Sequence, residues 1–194
     1  MTMRNLILAS VSPRRSELLK KAGFPDFKVV PSNAEELKAG VFDVHRLALE
    51  NAIRKAKAVS ELYPEDLVIG ADTLIEFEYE AIGKPVDTED AVRTLLRFAG
   101  KTHRVTTGVC ICCKKPDLIT RFAVTSEVDF KNFDRNTAEE YTRLVHVLDK
   151  AGAYAIQEHG DMIIANIRGS YDNIVGLPTE RLTEALNCIL KYWK

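Results

Sequence analysis

Short runs of apolar residues alternate along this chain with longer segments in which apolar residues recur every three to four positions. The short runs predict β-strands, and the spaced apolar residues predict amphipathic helices. Strands are predicted over residues 6–10, 27–31, 67–77, 104–113, 118–130 and 162–167. Helices are predicted over residues 13–22, 43–62, 87–100, 137–148 and 178–194. This alternation predicts an α/β fold with a mixed sheet, although the pattern does not give the order of the strands.

Capping and turn residues mark several of these boundaries. Ser12 before Pro13 is typical of a helix N-terminus, because serine caps the first turn and proline fits the first helical position. Thr137 and Glu140 predict a capping box at the start of the fourth helix. The turn at residues 114–117 separates the fourth and fifth strands and therefore predicts a hairpin.

The charges of the chain nearly cancel. Its 194 residues include 27 Lys and Arg and 28 Asp and Glu, a formal net charge of −1. This balance argues against a protein that coats nucleic acid or an anionic membrane, since both tasks need a strong positive field. No apolar run approaches the ~18 residues that span a bilayer, and the first residues do not form a signal peptide. We therefore expect one cytoplasmic domain over residues 1–194, without a membrane or nucleic-acid partner.

Three of the four cysteines, Cys110, Cys112 and Cys113, lie close together in one predicted strand, and Cys188 lies far away in the sequence. Structural zinc sites usually draw on two separated pairs, which this spacing does not offer. The pattern favours reduced thiols that pack as small hydrophobic residues. A soft-metal site or a redox switch stays open as the alternative.

A first candidate for chemistry is the junction between the first strand and the first helix. Arg14 and Arg15 stand in the first helical turn, where the helix dipole favours negative charge. An anion bound at this N-terminus would reverse the unfavourable placement, and phosphate is the natural candidate. Two solvated arginines are the alternative. For Ser10 and Ser12, capping and phosphate contact are favoured over nucleophilic catalysis, because no base lies near them in the sequence.

Carboxylates form a second candidate. Asp72 interrupts an apolar strand, so it either lies at an open end of the sheet or pairs with a cation or metal, and a strand-end aspartate that only caps a loop is the alternative. These placements suit a metal ligand or a general base. Glu35 and Glu36 follow an earlier strand, and a second carboxylate near Asp72 would complete a Mg²⁺ site with substrate phosphates. Two adjacent acids in a loop are otherwise simply solvated.

Two lysines and a glutamine complete the candidate set. Lys84 stands between a glycine and a proline on a predicted tight turn, where its ammonium can face a phosphate. Lys55 lies on the second predicted helix, with Asn51 four residues earlier on the same face. Gln157 offers an amide that can pair with a nucleobase edge. Each of these side chains also fits an ordinary exposed position.

Taken together, six segments resemble the Maf family of septum-formation-inhibitor-like nucleotide pyrophosphatases. They occur in the family's order and spacing and span nearly the whole chain, at residues 12–15, 35–36, 70–73, 83–85, 149–157 and 175–178. The resemblance implies an elongated, mixed central sheet flanked by helices, with two lobes around a cleft. This fold is similar to that of inosine triphosphate pyrophosphatases. The resemblance also implies a homodimer.

The same resemblance implies the reaction. Family members are metal-dependent hydrolases that cut a nucleoside triphosphate between the α- and β-phosphates, which yields a nucleoside monophosphate and pyrophosphate. The family's proton acceptor falls on Asp72, and Mg²⁺ or Mn²⁺ would be held by Asp72 and Glu36. Glu35 is an alternative to Glu36, because the preceding loop is one residue longer than usual. The other catalytic residues of the family fall on Arg15, Glu36, Lys55 and Lys84.

Substrate preference follows from three positions of the family pattern. Arg14, Thr73 and Gln157 match the branch that acts on dTTP and UTP, whereas the 7-methyl-GTP branch carries Trp, Gln and Glu there. Ser10 and Ser12 fall among the substrate-binding residues. Glu158 departs from the family, in which glycine commonly follows the glutamine. Two alternatives remain: an enzyme for modified pyrimidine nucleotides, and a nucleotide-binding regulator of cell division without significant catalysis.

Overall fold

A seven-stranded mixed sheet forms the centre of the computed structural model, which describes residues 5–38, 40 and 43–192. Its strands are β1 (Leu6–Leu8), β2 (Lys28–Val29), β3 (Leu67–Phe77), β4 (Glu80–Ile82), β5 (Thr102–Cys113), β6 (Leu118–Phe130) and β7 (Ile164–Arg168). The helices are α1 (Pro13–Lys21), α2 (Val44–Leu62), α3 (Thr88–Phe98), α4 (Arg135–Leu144), α5 (Gly160–Ile163), α6 (Tyr171–Val175) and α7 (Thr179–Tyr192). A 3-10 turn spans Ala151–Ala153.

The strand order in the sheet is β2-β1-β3-β5-β6-β7, and β4 pairs with β3 outside this row. β1 runs parallel to both of its neighbours, with Ile7 opposite Lys28 on one side and Val68 on the other. Parallel neighbours need a crossover, and the segment that contains α2 supplies it between β1 and β3. The pairs β3/β4 and β6/β7 are antiparallel. The predicted α/β class with a mixed sheet is confirmed.

The chain divides into two compact units. The described part of the first unit lies within residues 1–73, 107–124 and 176–194. In this unit α2 packs directly on the sheet, because two glycines leave no side chain between them. A Cβ atom on Gly70 would lie 2.4 Å from the carbonyl oxygen of Ala52, and one on Gly108 would lie 2.5 Å from that of Ala48. The helix backbone therefore rests almost on the strands β3 and β5.

The second unit, residues 74–106 and 125–175, has an aromatic core. Phe98 stacks on His103 with ring centroids 4.7 Å apart, and Phe130 and Tyr154 pack edge-on against that histidine. His103 Nε2 lies 3.0 Å from the Tyr154 hydroxyl, and Nδ1 lies 3.2 Å from the Val128 carbonyl oxygen. Burial lowers the pKa of His103 to about 4. This histidine is therefore a neutral core residue at physiological pH.

Several predicted boundaries are confirmed, and others are wrong for local reasons. The predicted strands at 67–77 and 118–130 match β3 and β6, and the hairpin turn at 114–117 joins β5 to β6. The capping box at Thr137 and Glu140 is wrong: α4 begins two residues earlier, because the Asp134 carboxylate accepts from the Thr137 N–H at 3.0 Å. The helices α5 and α6 and the strand β4 were not predicted, since each is too short to show a period. The predicted last residues of the final helix, 193–194, lie outside the described residues.

The structure also shows the surroundings of the cysteines and the character of the helices. Cys110 and Cys112 belong to a buried apolar cluster with α2, as expected for thiols that pack as small hydrophobic residues. No disulfide bond joins the four cysteines, and no group of three or more His, Cys, Asp or Glu side chains in the described part of the chain is arranged to hold a metal. None of the described helices combines the length and apolar composition that a bilayer crossing needs.

Candidate active site

The first turn of α1 holds the serine and arginine residues singled out from the sequence. Ser12 is the N-cap of α1, as predicted, and its hydroxyl accepts from the Arg15 N–H at 3.5 Å. The Ser10 hydroxyl accepts from the Ser12 N–H at 3.2 Å and from Arg15 Nη1 at 3.3 Å. Both hydroxyls are thus engaged in ordering the N-terminus of the helix. Arg14 lies beside them, half-buried.

Arg15 is held in place from three sides. Its Nε donates to the carbonyl oxygen of Gly176 at 2.9 Å, and Nη2 donates to the Thr73 hydroxyl at 3.0 Å. With the bond to Ser10, three of the five guanidinium N–H groups are used, so two have no hydrogen-bond partner among the described residues and can face an anion. Burial lowers the pKa of Arg15 below its usual value, and the charge of Asp72 opposes this shift. The result is a fixed cation beside the positive end of a helix.

Asp72, Lys55 and Glu36 form the second part of the site. Lys55 Nζ lies 2.7 Å from Asp72 Oδ1 and 2.6 Å from Glu36 Oε1, so one ammonium joins two carboxylates. The Asp72 and Lys55 side chains are only 8% and 13% exposed, whereas that of Glu36 is 57% exposed. Of the two adjacent glutamates, Glu36 is the one that reaches Lys55. The interpretation of Asp72 as a strand carboxylate paired with a cation is confirmed.

Asn51 is a member of this site whose role the sequence did not reveal. It is 2% exposed, and its Nδ2 donates to Asp72 Oδ2 at 3.1 Å. Its Oδ1 accepts from the Leu37 N–H at 2.7 Å, next to Glu36 in the chain. The spacing of Asn51 and Lys55 on one helical face was visible in the sequence, but their common partner was not.

Thr107 is a second such residue. Its hydroxyl lies 2.9 Å from that of Thr73, and Thr73 in turn accepts from Arg15. Thr107 is fully buried in β5. The position that the family pattern connects with substrate preference, Thr73, therefore contacts an arginine of the site directly.

Lys84 and Gln157 lie in the second unit, so the first unit contains the other eight candidates. Both side chains belong to exposed residues. Their segments are joined by a hydrogen bond from the Gly152 N–H to the Gly83 carbonyl oxygen at 2.9 Å. The segment that carries Gln157 is further fixed by the Tyr141 hydroxyl, which contacts the Ala155 and Glu158 carbonyl oxygens at 3.1 Å. The added carboxylate of Glu158 lies 3.7 Å from Lys150 Nζ.

Two carboxylates of the first unit suit a divalent cation whose remaining ligands come from the substrate. Asp72 and Glu36 converge on one point, since an oxygen of each lies within 2.7 Å of the same ammonium nitrogen. Mg²⁺ typically takes one or two carboxylates and draws its remaining ligands from phosphates and water. Two converging carboxylates therefore match the protein ligands that such an ion takes. A cage made of protein groups alone is not formed by the described residues.

Comparison with known proteins places the chain in a family. A family model described as "Maf-like protein" matches residues 5–189. A dTTP/UTP pyrophosphatase of Akkermansia muciniphila is 45% identical over 182 residues, which cover 94% of this chain and 95% of the relative. A dTTP/UTP pyrophosphatase of Bacillus cereus is 39% identical over 184 residues, with 95% of both chains covered.

A solved structure of a HAM1 protein from Coxiella burnetii shares the fold. It superposes with a TM-score of 0.52 over 95% of this chain and 99% of that one, at 14% identity. An identity this low carries no information on activity. The family model and the two relatives do extend over nearly the whole sequence, and the six motifs fall within the matched residues. This chain belongs to the Maf family.

Proposed function

We propose that this chain is a metal-dependent nucleoside triphosphate pyrophosphatase that hydrolyses dTTP and UTP to the monophosphate and pyrophosphate. The observation that carries the proposal is the placement of Asp72, a buried carboxylate that is bonded to Lys55 and Asn51 and whose charge acts on the anchored Arg15. Such a site offers a proton acceptor and phosphate-binding cations together. Two relatives with 45% and 39% identity that are named dTTP/UTP pyrophosphatase support the substrate class.

Binding of the triphosphate is assigned to the cations. Arg15 offers its two remaining N–H groups, and the N-terminus of α1 adds backbone donors and a positive dipole. Lys55 uses two ammonium N–H groups on Asp72 and Glu36, so the third can donate to a phosphate oxygen. Lys84 would add a further positive charge. These groups stabilise the charge that develops on the phosphates in the transition state.

Asp72 is assigned as the proton acceptor. Each of its oxygens already accepts one hydrogen bond, from Lys55 or from Asn51, and each keeps a lone pair for a water molecule. Asp72 takes a proton from that water while the oxygen of the water bonds to the α-phosphorus. The bond between the α-phosphorus and the oxygen that bridges to the β-phosphorus breaks. Pyrophosphate leaves with the electron pair of that bond. Mg²⁺ or Mn²⁺, held by Asp72 and Glu36, would supply neutralising charge for the phosphates.

The pyrimidine preference is assigned to Arg14, Thr73 and Gln157. Gln157 offers both a donor and an acceptor to a base edge, whereas Thr73 contacts Arg15. Modified pyrimidine nucleotides belong to the same proposal as further substrates. A homodimer and a cytoplasmic location are also part of it, and a solution mass of twice 21.8 kDa by light scattering would support the dimer.

The test is pyrophosphate release from dTTP, UTP, CTP, GTP, ATP and 7-methyl-GTP with Mg²⁺ or Mn²⁺. We expect release from dTTP and UTP above all. Asp72→Asn should lower kcat by ~10²–10⁴, as the loss of a positioned base does, with the Kd for substrate largely retained. Asp87→Asn is the matched control, because Asp87 caps α3 and asparagine caps a helix equally well.

Three results would contradict parts of the proposal. Near wild-type turnover in Asp72→Asn would remove this residue from the mechanism. Activity confined to CTP or 7-methyl-GTP would keep the reaction but reject the assignment of Arg14, Thr73 and Gln157. Tight nucleotide binding without any pyrophosphate release would favour the non-catalytic regulator.

A further inference from the structure

Within the described part of the chain, the Asn51 side chain bonds to Asp72 and to Leu37, the residue after Glu36. The side-chain amide accepts from the Leu37 N–H at 2.7 Å, donates to the Leu37 carbonyl oxygen at 3.3 Å and donates to Asp72 Oδ2 at 3.1 Å. One oxygen and two N–H groups of the amide are thereby all used. A single buried side chain on α2 therefore joins β3, which carries Asp72, to the loop that carries Glu36.

We propose that Asn51 is a positioning residue that sets where Glu36 and Asp72 meet Lys55. The inference rests on the proposed function, since it assigns Asn51 a role in that reaction. The second oxygen of Asp72 is bonded to Lys55, which lies one helical turn after Asn51. Both oxygens of Asp72 are thus fixed by the same face of one helix. The rotation of the carboxylate and its distance from α2 are then determined together.

The Glu36 loop depends on the same residue. Residues 31–38 form neither helix nor strand, and the Glu36 side chain is 57% exposed, so packing holds it only weakly. The two bonds from Asn51 fix both backbone polar groups of Leu37, the residue after Glu36. This places the Glu36 carboxylate within 2.6 Å of Lys55 Nζ. Loss of the amide would release Glu36 and remove a donor from Asp72 at the same time.

A purely structural asparagine would behave differently. Buried polar groups are normally hydrogen-bonded, so three bonds alone would fit a residue that only stabilises the fold. Replacement of such a residue lowers the stability of the protein. Any effect of that replacement on kcat would multiply with the effect of a separate catalytic variant. If Asn51 positions Glu36, replacement of Glu36 should have little further effect on kcat once Asn51 has been replaced, because residues in one network do not act independently.

The experiment is a double-mutant cycle with Asn51→Leu and Glu36→Gln, measured as kcat and KM for dTTP. We expect Asn51→Leu to lower kcat about 10- to 100-fold, as misplacement of catalytic groups by about 1 Å does. The effect of Glu36→Gln on kcat should shrink from about tenfold in the wild type to less than about threefold in the Asn51→Leu background. Two effects that multiply within about twofold would overturn the proposal.

Amide exchange of Leu37 provides a readout that does not depend on activity. The Leu37 N–H should be protected in the wild type and exchange rapidly in Asn51→Leu. Asn51→Asp is the second variant, because it keeps an acceptor for this N–H but replaces the donor to Asp72 with a like charge. It should retain the protection of Leu37 and still lose turnover. Unchanged protection of the Leu37 N–H in Asn51→Leu would overturn the proposal that Asn51 holds the Glu36 loop.

Ser60→Ala is the matched control. Ser60 is another buried polar residue of α2, 4% exposed, and its hydroxyl bonds to Cys112, away from the site. We expect Ser60→Ala to lower thermal stability while leaving kcat and Leu37 exchange unchanged. If the wild type releases no pyrophosphate from any triphosphate, the proposed function fails. The amide exchange of Leu37 would still show whether Asn51 holds the Glu36 loop.

Discussion

Gly70→Ala is expected to damage the site through the backbone of α2. Gly70 lies on β3 two residues before Asp72, on the strand face that meets the helix. An added Cβ would lie 2.4 Å from the Ala52 carbonyl oxygen, 2.7 Å from the Ala56 nitrogen and 2.9 Å from the Ala56 Cβ. The first two are backbone atoms of α2, which cannot rotate away as a side chain does. The helix as a whole must retreat from the strand.

The size of the retreat follows from these distances. To bring the closest contact from 2.4 Å to 3.0–3.4 Å, α2 must move by 0.6–1.0 Å. Lys55 lies on the same helical turn, so its 2.7 Å contact with Asp72 would lengthen to about 3.3–3.7 Å, which weakens or breaks the hydrogen bond. Overpacking of this kind costs about 1–3 kcal/mol of unfolding free energy, which lowers the Tm by roughly 3–10 °C in a chain of this size. A shift approaching 1 Å at reacting groups lowers kcat by about 10- to 100-fold.

The assay combines thermal unfolding with steady-state pyrophosphate release. Gly160→Ala is the matched control, since its Cβ would meet only the flexible tip of Ile164 at 3.4 Å. Gly108→Ala should destabilise the protein as Gly70→Ala does, because its Cβ would lie 2.5 Å from backbone atoms of Ala48 and Leu49. Its effect on kcat should be smaller, since this contact is farther from Lys55. A Gly70→Ala variant with the wild-type Tm and a kcat within about twofold of the wild type would refute the reasoning.

Two further predictions concern His103 and Thr107. The pKa of His103 falls to about 4 in the folded chain, against an ordinary value of 6.5, so the unfolded chain binds the extra proton as the pH drops from about 6.5 to 4. The free energy of unfolding should therefore decrease across that window by up to about 3 kcal/mol. Denaturant titrations at pH 7, 5.5 and 4.5 should show that His103→Gln loses this part of the pH dependence. An equal change of unfolding free energy with pH in both proteins would exclude this role of His103. Thr107→Val removes a hydrogen-bond partner of Thr73, which positions Arg15, so the KM for dTTP should rise about 3- to 10-fold with little change in kcat. A KM equal to that of the wild type would show that the Thr107 hydroxyl has no part in substrate binding.

The elements that could be predicted from the sequence are those long enough to show a period. β3 and β6 have the predicted ends, and α1 and α2 differ from the prediction by a single residue at one end. The error at α4 has a specific cause: Asp134 and Thr137 are both good capping residues, and the carboxylate of Asp134 captures the N–H of Thr137. A pattern of residue types does not decide between two candidate caps that lie three residues apart. β2 lies at one edge of the sheet and spans two residues rather than the predicted five.

The sequence singled out several residues that the structure brings together, but not the hydrogen bonds that join them. Asp72 was conspicuous because a carboxylate in an apolar strand must find a partner, and that partner is Lys55. Asn51 and Thr107 carry no comparable signal. A buried asparagine in a helix and a threonine in a strand are common residues, and their partners, Leu37 and Thr73, are fixed only by the folded chain. Hydrogen bonds between distant segments are therefore the part that a single sequence leaves open.

Two anchoring networks meet on neighbouring residues of β3. Asp72 and Thr73 are consecutive, so their side chains leave opposite faces of the strand. On one face Asp72 is fixed by α2, and on the other Thr73 is bonded to Arg15 and Thr107. The two networks share no hydrogen bond among the described residues, so damage to one should pass only weakly to the other. A double variant of Asn51→Leu and Thr107→Val should therefore show additive free-energy changes within about 0.5 kcal/mol, with kcat lowered by the first substitution and KM raised by the second. Strong coupling between them would mean that β3 transmits strain between Asp72, the proposed proton acceptor, and Arg15, the arginine proposed to bind phosphate.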